Sequence, residues 1–161
     1  MPLGETYTDE HFVEELGLLF AELGQPRMMG RMLAWLLICE PPDQSSSDLV
    51  GALGASKATI STMSRALIGQ GLVERVARPG DRRTYFCVKP GASPLLVQSK
   101  LDAVHRFATA LCRALEHREQ RPPDRDDRLR EIHDLYAFLE TEIPALIERW
   151  ERQRGSETSA P

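Results

Sequence analysis

The chain has 161 residues, 42% of them hydrophobic, and a formal net charge of −4. That is enough apolar material for one core of ordinary size, but no apolar run approaches the roughly 18 residues of a membrane-spanning helix. Met1 to Thr8 lacks the basic start and apolar centre of a secretion signal, which points to a cytoplasmic location. Cys39, Cys87 and Cys112 have neither metal-ligand spacing nor an even count, as expected in a reducing compartment. The acidic total conceals a strong asymmetry. Between Ser56 and Lys89, seven cations against two anions give +5, leaving −9 for the remainder. A basic patch on an acidic body is the electrostatic footprint of a nucleic-acid face.

In chain order, the first helix is expected over Asp9–Gly24, with Thr8 as N-cap and acids in its first turn. Phe12, Leu16, Leu19, Phe20 and Leu23 form its apolar face. Pro26 suits the first position of a second helix. From Met28 to Cys39 that helix is apolar almost all round, so it should be buried, and the Trp35 indole N–H needs a partner there. Pro41 and Pro42 end it. A short helix over Asp48–Leu53, capped by Ser46 or Ser47, precedes a turn at Gly54.

The next helix, about Lys57 to Gln70, is capped by Ser56 and closed by Gly71, with Leu72 folding back on Leu67. At 100° per residue, Ile60, Met63 and Leu67 share one side. Lys57, Ser61 and Arg65 share the opposite side, flanked by Thr62 and Ser64. Short hydroxyls between long cations suit a DNA major groove, where they can bond phosphates and base edges. An ordinary solvated helix face is the competing reading, and the following hairpin decides against it. Leu72–Val76 and Thr84–Val88 have strand composition, joined by Arg78-Pro79-Gly80-Asp81, a type II turn signal. Arg82 and Arg83 stand beside the turn, with Asp81 placed to hold a guanidinium. An arginine-tipped hairpin fits the narrow, negative minor groove. Helix, turn, helix and hairpin make a winged helix-turn-helix.

After a break at Lys89–Ser93, a long helix from about Pro94 to His117 carries Val97, Leu101, Val104, Ala108, Leu111 and Leu115 at spacings of 4, 3, 4, 3, 4. That is a coiled-coil-like seam. Arg118–Pro123 reads as a linker. Asp124 is the expected cap of the last helix, where Leu129, Ile132, Tyr136, Leu139, Ile143, Leu146 and Trp150 repeat the pattern and Pro144 should introduce a kink. Arg152–Pro161 reads as a disordered tail. The expected organisation is mainly α with a small β-hairpin wing. It comprises supporting N-terminal helices (8–44), the winged motif (45–90), C-terminal dimerisation helices (91–151) and a tail (152–161). Two long seams call for a partner, and a two-fold homodimer is expected, with Leu101, Val104, Leu111, Leu115, Leu139, Ile143, Leu146 and Trp150 in its interface.

The segments Ala55–Ser61, Gly71–Arg75 and Gly80–Arg83 resemble the MarR superfamily. Gly30–Leu37, with Pro41-Pro42 and Ser45–Asp48, is similar to its GbsR-like branch. The resemblance implies a homodimeric bacterial transcription regulator, expected to be a repressor, binding double-stranded DNA at a near-palindromic operator. It places the recognition helix in the major groove and the wing arginine in the minor groove. The candidate DNA residues are Ser56, Lys57, Thr59, Ser61, Thr62, Ser64 and Arg65 on the helix, and Arg78, Asp81, Arg82 and Arg83 in the wing. The branch suggests a choline-like or other small effector. Met32, Trp35, Phe107 and Tyr136 are the candidate pocket residues, with an aromatic cage as the expected chemistry for a quaternary ammonium.

No other chemistry rises to this level. His11, His105, His117 and His133 lack ligand spacing, and neither metal nor cofactor is expected. Redox sensing at a cysteine needs exposure and a basic neighbour; Cys112 precedes Arg113 but lies near the seam. No phosphate loop, nucleophile elbow or paired carboxylates appear, so the chain is not expected to be an enzyme. The rival class is a winged protein-interaction module without DNA binding. The basic wing and the Lys57/Ser61/Arg65 stripe disfavour it, since partner faces are enriched in aromatics.

Overall fold

A computed structural model describes residues 7–118 and 126–158. The chain divides into two compact units, Met1–Leu95 and Leu96–Pro161. The first holds α1 (Asp9–Glu22), α2 (Arg27–Ile38), β1 (Gln44–Ser45), α3 (Ser46–Leu53), α4 (Lys57–Gly69), β2 (Val73–Ala77) and β3 (Thr84–Val88). The second holds α5 (Leu95–His117, from Leu96 onward) and α6 (Asp127–Thr158).

Local chemistry sets the helix starts. Thr8 caps α1 by accepting from His11 N–H, and the His11 ring returns to the Thr8 backbone N–H. Pro26 takes ψ 128°, outside the helical region, so it stands one position before α2 rather than inside it. α3 begins earlier than expected because its cap is Ser45, not Ser46 or Ser47. The Ser45 hydroxyl accepts from Asp48 N–H at 3.2 Å, while the Asp48 carboxylate accepts from Ser45 N–H at 2.9 Å. This is a capping box, in which an acid three residues on answers the cap. Ser45 thus ends β1 and opens α3. The two residues of β1 pair antiparallel with β3, giving a three-stranded sheet of order β1-β3-β2.

α4 starts at the Ser56 cap, where Thr59 N–H donates to Oγ at 3.1 Å. It ends in a Schellman motif: Gly71 sits at φ 73°, its N–H bonds the Ile68 carbonyl, and Leu72 N–H bonds the Leu67 carbonyl. The wing strands pair from Val73 with Val88 to Ala77 with Thr84. At the tip, Gly80 takes φ 81° and Asp81 N–H bonds the Arg78 carbonyl at 3.1 Å, the expected turn.

One core serves the whole first unit. Met29, Met32 and Leu33 of α2 meet Val13 of α1, Leu49 and Leu53 of α3, Ile60 and Leu67 of α4, and Val73 and Phe86 of the sheet. The N-terminal helices are therefore packed into the winged motif, and α2 is its central pillar. α1 and α2 approach so closely that a Cβ on Gly30 would stand 2.5 Å from the Leu16 carbonyl oxygen and 2.8 Å from the Phe20 ring.

In the second unit, α5 and α6 are antiparallel: His105 bonds Glu140, and the Phe107 and Tyr136 rings lie 4.4 Å apart. Ala108 and Leu111 are buried, while Leu101, Val104, Leu115, Leu139 and Ile143 are half-buried. Part of the seam is thus used within the chain. Leu135 (54% exposed), Phe138 (60%) and Leu146 (53%) are open, as is Trp150. α6 continues through Pro144 and on to Thr158, past the point where a disordered tail was expected. Arg152 lies 3.7 Å from Glu148 and Arg154 over the Trp150 ring, contacts one turn apart that extend the helix. The Asp124 cap and most of the Arg118–Pro123 linker lie outside the described residues. No described helix is long and apolar enough to cross a membrane.

Replacing Gly30 with valine drives a side chain into a backbone carbonyl that cannot step aside. Urea denaturation should show a loss of about 1–3 kcal/mol, the usual cost of overpacking.

Candidate nucleic-acid interface

α4 is held on one side and free on the other. Ile60, Ser64 and Leu67 are buried against the core, whereas Ser56, Lys57, Ser61, Thr62 and Arg65 are exposed and Thr59 is half-buried. Arg65 Nε–H donates to the Ser61 carbonyl at 3.3 Å, which lays its stem along the helix. The Ser56 hydroxyl is occupied with capping and with Thr59 Oγ1 at 2.8 Å. Ser64 corrects the expected DNA face. It is 1% exposed, and its hydroxyl donates to the Ile60 carbonyl at 2.7 Å, beside the Met32 sulfur. Four residues from Ile60, it belongs to the buried stripe, and bonding to the preceding turn satisfies its polarity there.

The wing is an ionic relay. At its tip, Asp81 accepts from Arg83 Nη2 at 2.7 Å, from Nε at 2.9 Å and from Arg83 backbone N–H at 2.9 Å. The buried Tyr85 donates its phenol to the same carboxylate at 2.7 Å. The donated bonds from Arg83 and Tyr85 hold the Asp81 carboxyl far below the ordinary carboxylate range. The reciprocal bond pushes the Tyr85 phenol upward, with burial adding to it. Arg82 and Arg83 remain exposed.

Arg78 is not the free cation expected at the tip. Its Nε and Nη2 donate in parallel to Asp43 Oδ2 and Oδ1, both at 2.7 Å, and its guanidinium lies 4.1 Å over the Tyr85 ring. Asp43 stands on the loop between α2 and β1, 35 residues away in the chain, and had no local signal to mark it. Tyr85 was missed too, although a tyrosine in a half-buried strand beside an Asp-Arg turn is a recognisable hint.

The candidate effector residues are not gathered by either unit alone. Met32 is fully buried in the core rather than open to a ligand, a correction that follows from its place among the buried residues of α2. Phe107 and Tyr136 touch within the second unit. Trp35 lines a cleft of about 500 Å³ in the first, walled also by Asp43, Asp48, Arg78, Arg83 and Tyr85. Its indole N–H is buried without a hydrogen-bond partner among the described residues. All three thiols are pushed up: Cys39 and Cys87 chiefly by burial, Cys112 by its bond to Glu116. A low thiol pKa is what reactive sensing requires, so this works against a redox role. No cluster of three or more His, Cys, Asp or Glu suited to a metal occurs among the described residues.

A capped helix with a cationic outer face, beside a basic two-stranded wing on the same core, defines a winged helix-turn-helix of the kind that docks on duplex DNA. Residues 33–85 match the MarR family model, and residues 91–153 match a model for MmpR5-like MarR family transcriptional regulators. The chain is 38% identical over 146 residues to the HTH-type transcriptional regulator MmpR5 of Mycobacterium tuberculosis (strain ATCC 25618 / H37Rv), covering 91% of this chain and 88% of that protein. A crystal structure of a transcriptional regulator, 38% identical, superposes with a TM-score of 0.68 over 89% of this chain and 98% of that one. The chain belongs to the MarR family of winged-helix transcription regulators, which are not enzymes. The GbsR-like likeness remains a resemblance of residues 30–48.

The Asp81–Tyr85 bond is open to a direct titration. A carboxyl depressed on folding contributes stability that is full above its unfolded pKa and lost only as pH falls through the lower folded value. The Asp81–Arg83 contact should therefore persist unchanged from pH 8 to pH 5. At the alkaline end, NMR should find Tyr85 ionising above the ordinary tyrosine value of about 10, and Asp81→Asn should bring that transition down.

Proposed function

We propose that the protein is a homodimeric repressor that reads a near-palindromic operator. Its two α4 helices enter successive major grooves about 34 Å apart, and its wings reach the adjoining minor grooves. The observation that carries this reading is the exposed Lys57/Ser61/Arg65 stripe of α4 beside an arginine-tipped wing. Lys57 and Arg65 engage phosphates or base edges, Ser61 and Thr62 add hydroxyl contacts, and Ser56 and Thr59 fix the helix start. Arg82 and Arg83 serve the minor groove, with Asp81 aiming Arg83. Asp81 would repel phosphate if bare. Paired as it is, it reduces the freedom Arg83 must lose on binding.

The open apolar residues of α5 and α6 support the dimer. Phe107, Leu135, Phe138, Leu146 and Trp150 stand exposed on these two helices, where a second copy of the chain could cover them. Repression by occlusion is the simplest outcome of tight operator binding. A small effector completes the reading, in keeping with the GbsR-like resemblance. To act, it must bind one arrangement of the DNA-reading elements better than another, since tight binding alone shifts nothing.

Duplexes selected from random sequence by the protein supply the probe. Lys57→Ala and Arg65→Ala should each weaken binding by about tenfold, within the 1–3 kcal/mol of a good base contact. Ser64→Ala should leave binding unchanged. Arg83→Ala should reduce the slope of log affinity against log salt by about one, and Asp81→Ala should cost less. Parental affinity and slope in Lys57→Ala, Arg65→Ala and Arg83→Ala alike would remove this face from DNA. Sedimentation at micromolar concentration should give a dimer, and a monomer there would end the two-fold reading.

A further inference from the structure

The side-chain contacts of the wing lead back to a residue outside it, Asp43. Asp43 ends the loop that follows α2, and it is the only contact of that loop with the wing's root that is charged on both sides among the described residues. Its two oxygens each accept from the Arg78 guanidinium at 2.7 Å, a bidentate fork. The Asp43 side chain is 19% exposed and that of Arg78 40%. Arg78 stacks over Tyr85, Tyr85 bonds Asp81, and Asp81 holds Arg83. The chain of contacts therefore runs from the α2–β1 loop to the minor-groove arginine with no break. β1 pairs with β3 from Gln44, the residue after Asp43, so the loop is itself anchored to the sheet. α2, at the other end of that loop, packs against α4.

We propose that Asp43 is a positioning residue for DNA recognition: through Arg78 it fixes the wing's angle to α4, and with it the operator's discrimination from other DNA. This rests on the DNA-reading function proposed above. The sign of the effect separates positioning from simple charge. Asp43 is an anion beside a polyanion's binding face, so removing it should strengthen binding to every duplex if charge alone matters. If it positions the wing, its loss instead lets Arg78 and the tip wander. Affinity for the selected operator then falls, while affinity for unrelated DNA stays level or rises.

The experiment compares the selected duplex with a scrambled duplex of equal length, for the parent dimer, Asp43→Asn and Arg78→Lys. Asp43→Asn changes the charge by one, whereas Arg78→Lys keeps the charge and loses the fork. Both variants should lower the ratio of operator to scrambled affinity about tenfold, and both should speed amide hydrogen exchange at residues 73–88 in the free protein. Asp43→Glu, which keeps an acceptor for the fork, should recover part of the ratio. A parental ratio in both variants overturns the proposal. So does a uniform gain on both duplexes in Asp43→Asn with no change in Arg78→Lys, which is the signature of charge alone. A parent protein that selects no duplex overturns the DNA-reading function, and the role of Asp43 with it. A parent that discriminates while its variants do so equally well removes only Asp43.

Discussion

The burial of one side of α4 against α2 is the constraint from which the site follows. Ile60 and Leu67 are withdrawn from water completely, and each such side chain contributes on the order of 1.5–3 kcal/mol relative to exposure. With that side locked, rotation of the helix about its axis is not available, and Lys57, Ser61 and Arg65 have one direction in which to point. The capping bond at Ser56 and the Schellman closure at Gly71 fix its two ends. The same α2 surface that holds α4 also holds α1, through the close approach at Gly30. Anything that moves α2 therefore moves the outer face of α4.

The wing needs a different device. A two-stranded hairpin has little core of its own and is marginal alone. Here β1 broadens it to three strands and buries Tyr85 and Phe86. Beyond the last ladder pair the backbone turn at Gly80 is joined by five charged or aromatic side chains that direct the tip in sequence. None of these partly exposed ion pairs is worth much in stability. Their value lies in orientation: an arginine already aligned loses less freedom when it meets its target.

Much of this was legible because it is local. Pro79-Gly80 announces its turn, Ser56 and Gly71 announce the ends of α4, and the 100° repeat separates Ile60 from Lys57. Where the reading failed, it failed for identifiable reasons. Ser64 looks polar, but it lies four residues after Ile60 and three before Leu67, so periodicity places it inward and a bond to its own helix makes that tolerable. Ser45, not its two serine neighbours, caps α3 because Asp48 stands three residues beyond it. β1 is two polar residues with no strand pattern, and it forms only because β3 offers an edge. Asp43–Arg78 joins positions 35 apart, for which one sequence has no signature. The heptad seams of α5 and α6 predicted apolar contact correctly without saying whose, and Ala108 and Leu111 turn out to be satisfied within the chain.

The central claim is that α4 occupies the major groove while the arginine-tipped wing occupies the minor groove beside it. Dimethyl sulfate tests both at once on a selected duplex, since it methylates guanine N7 in the major groove and adenine N3 in the minor groove. The account predicts two tracts of protected guanine N7 about one helical turn apart. Each should be flanked by protected adenine N3, and Arg83→Ala should abolish the adenine protection while sparing the guanines. Guanine N7 left open throughout the bound site would contradict it.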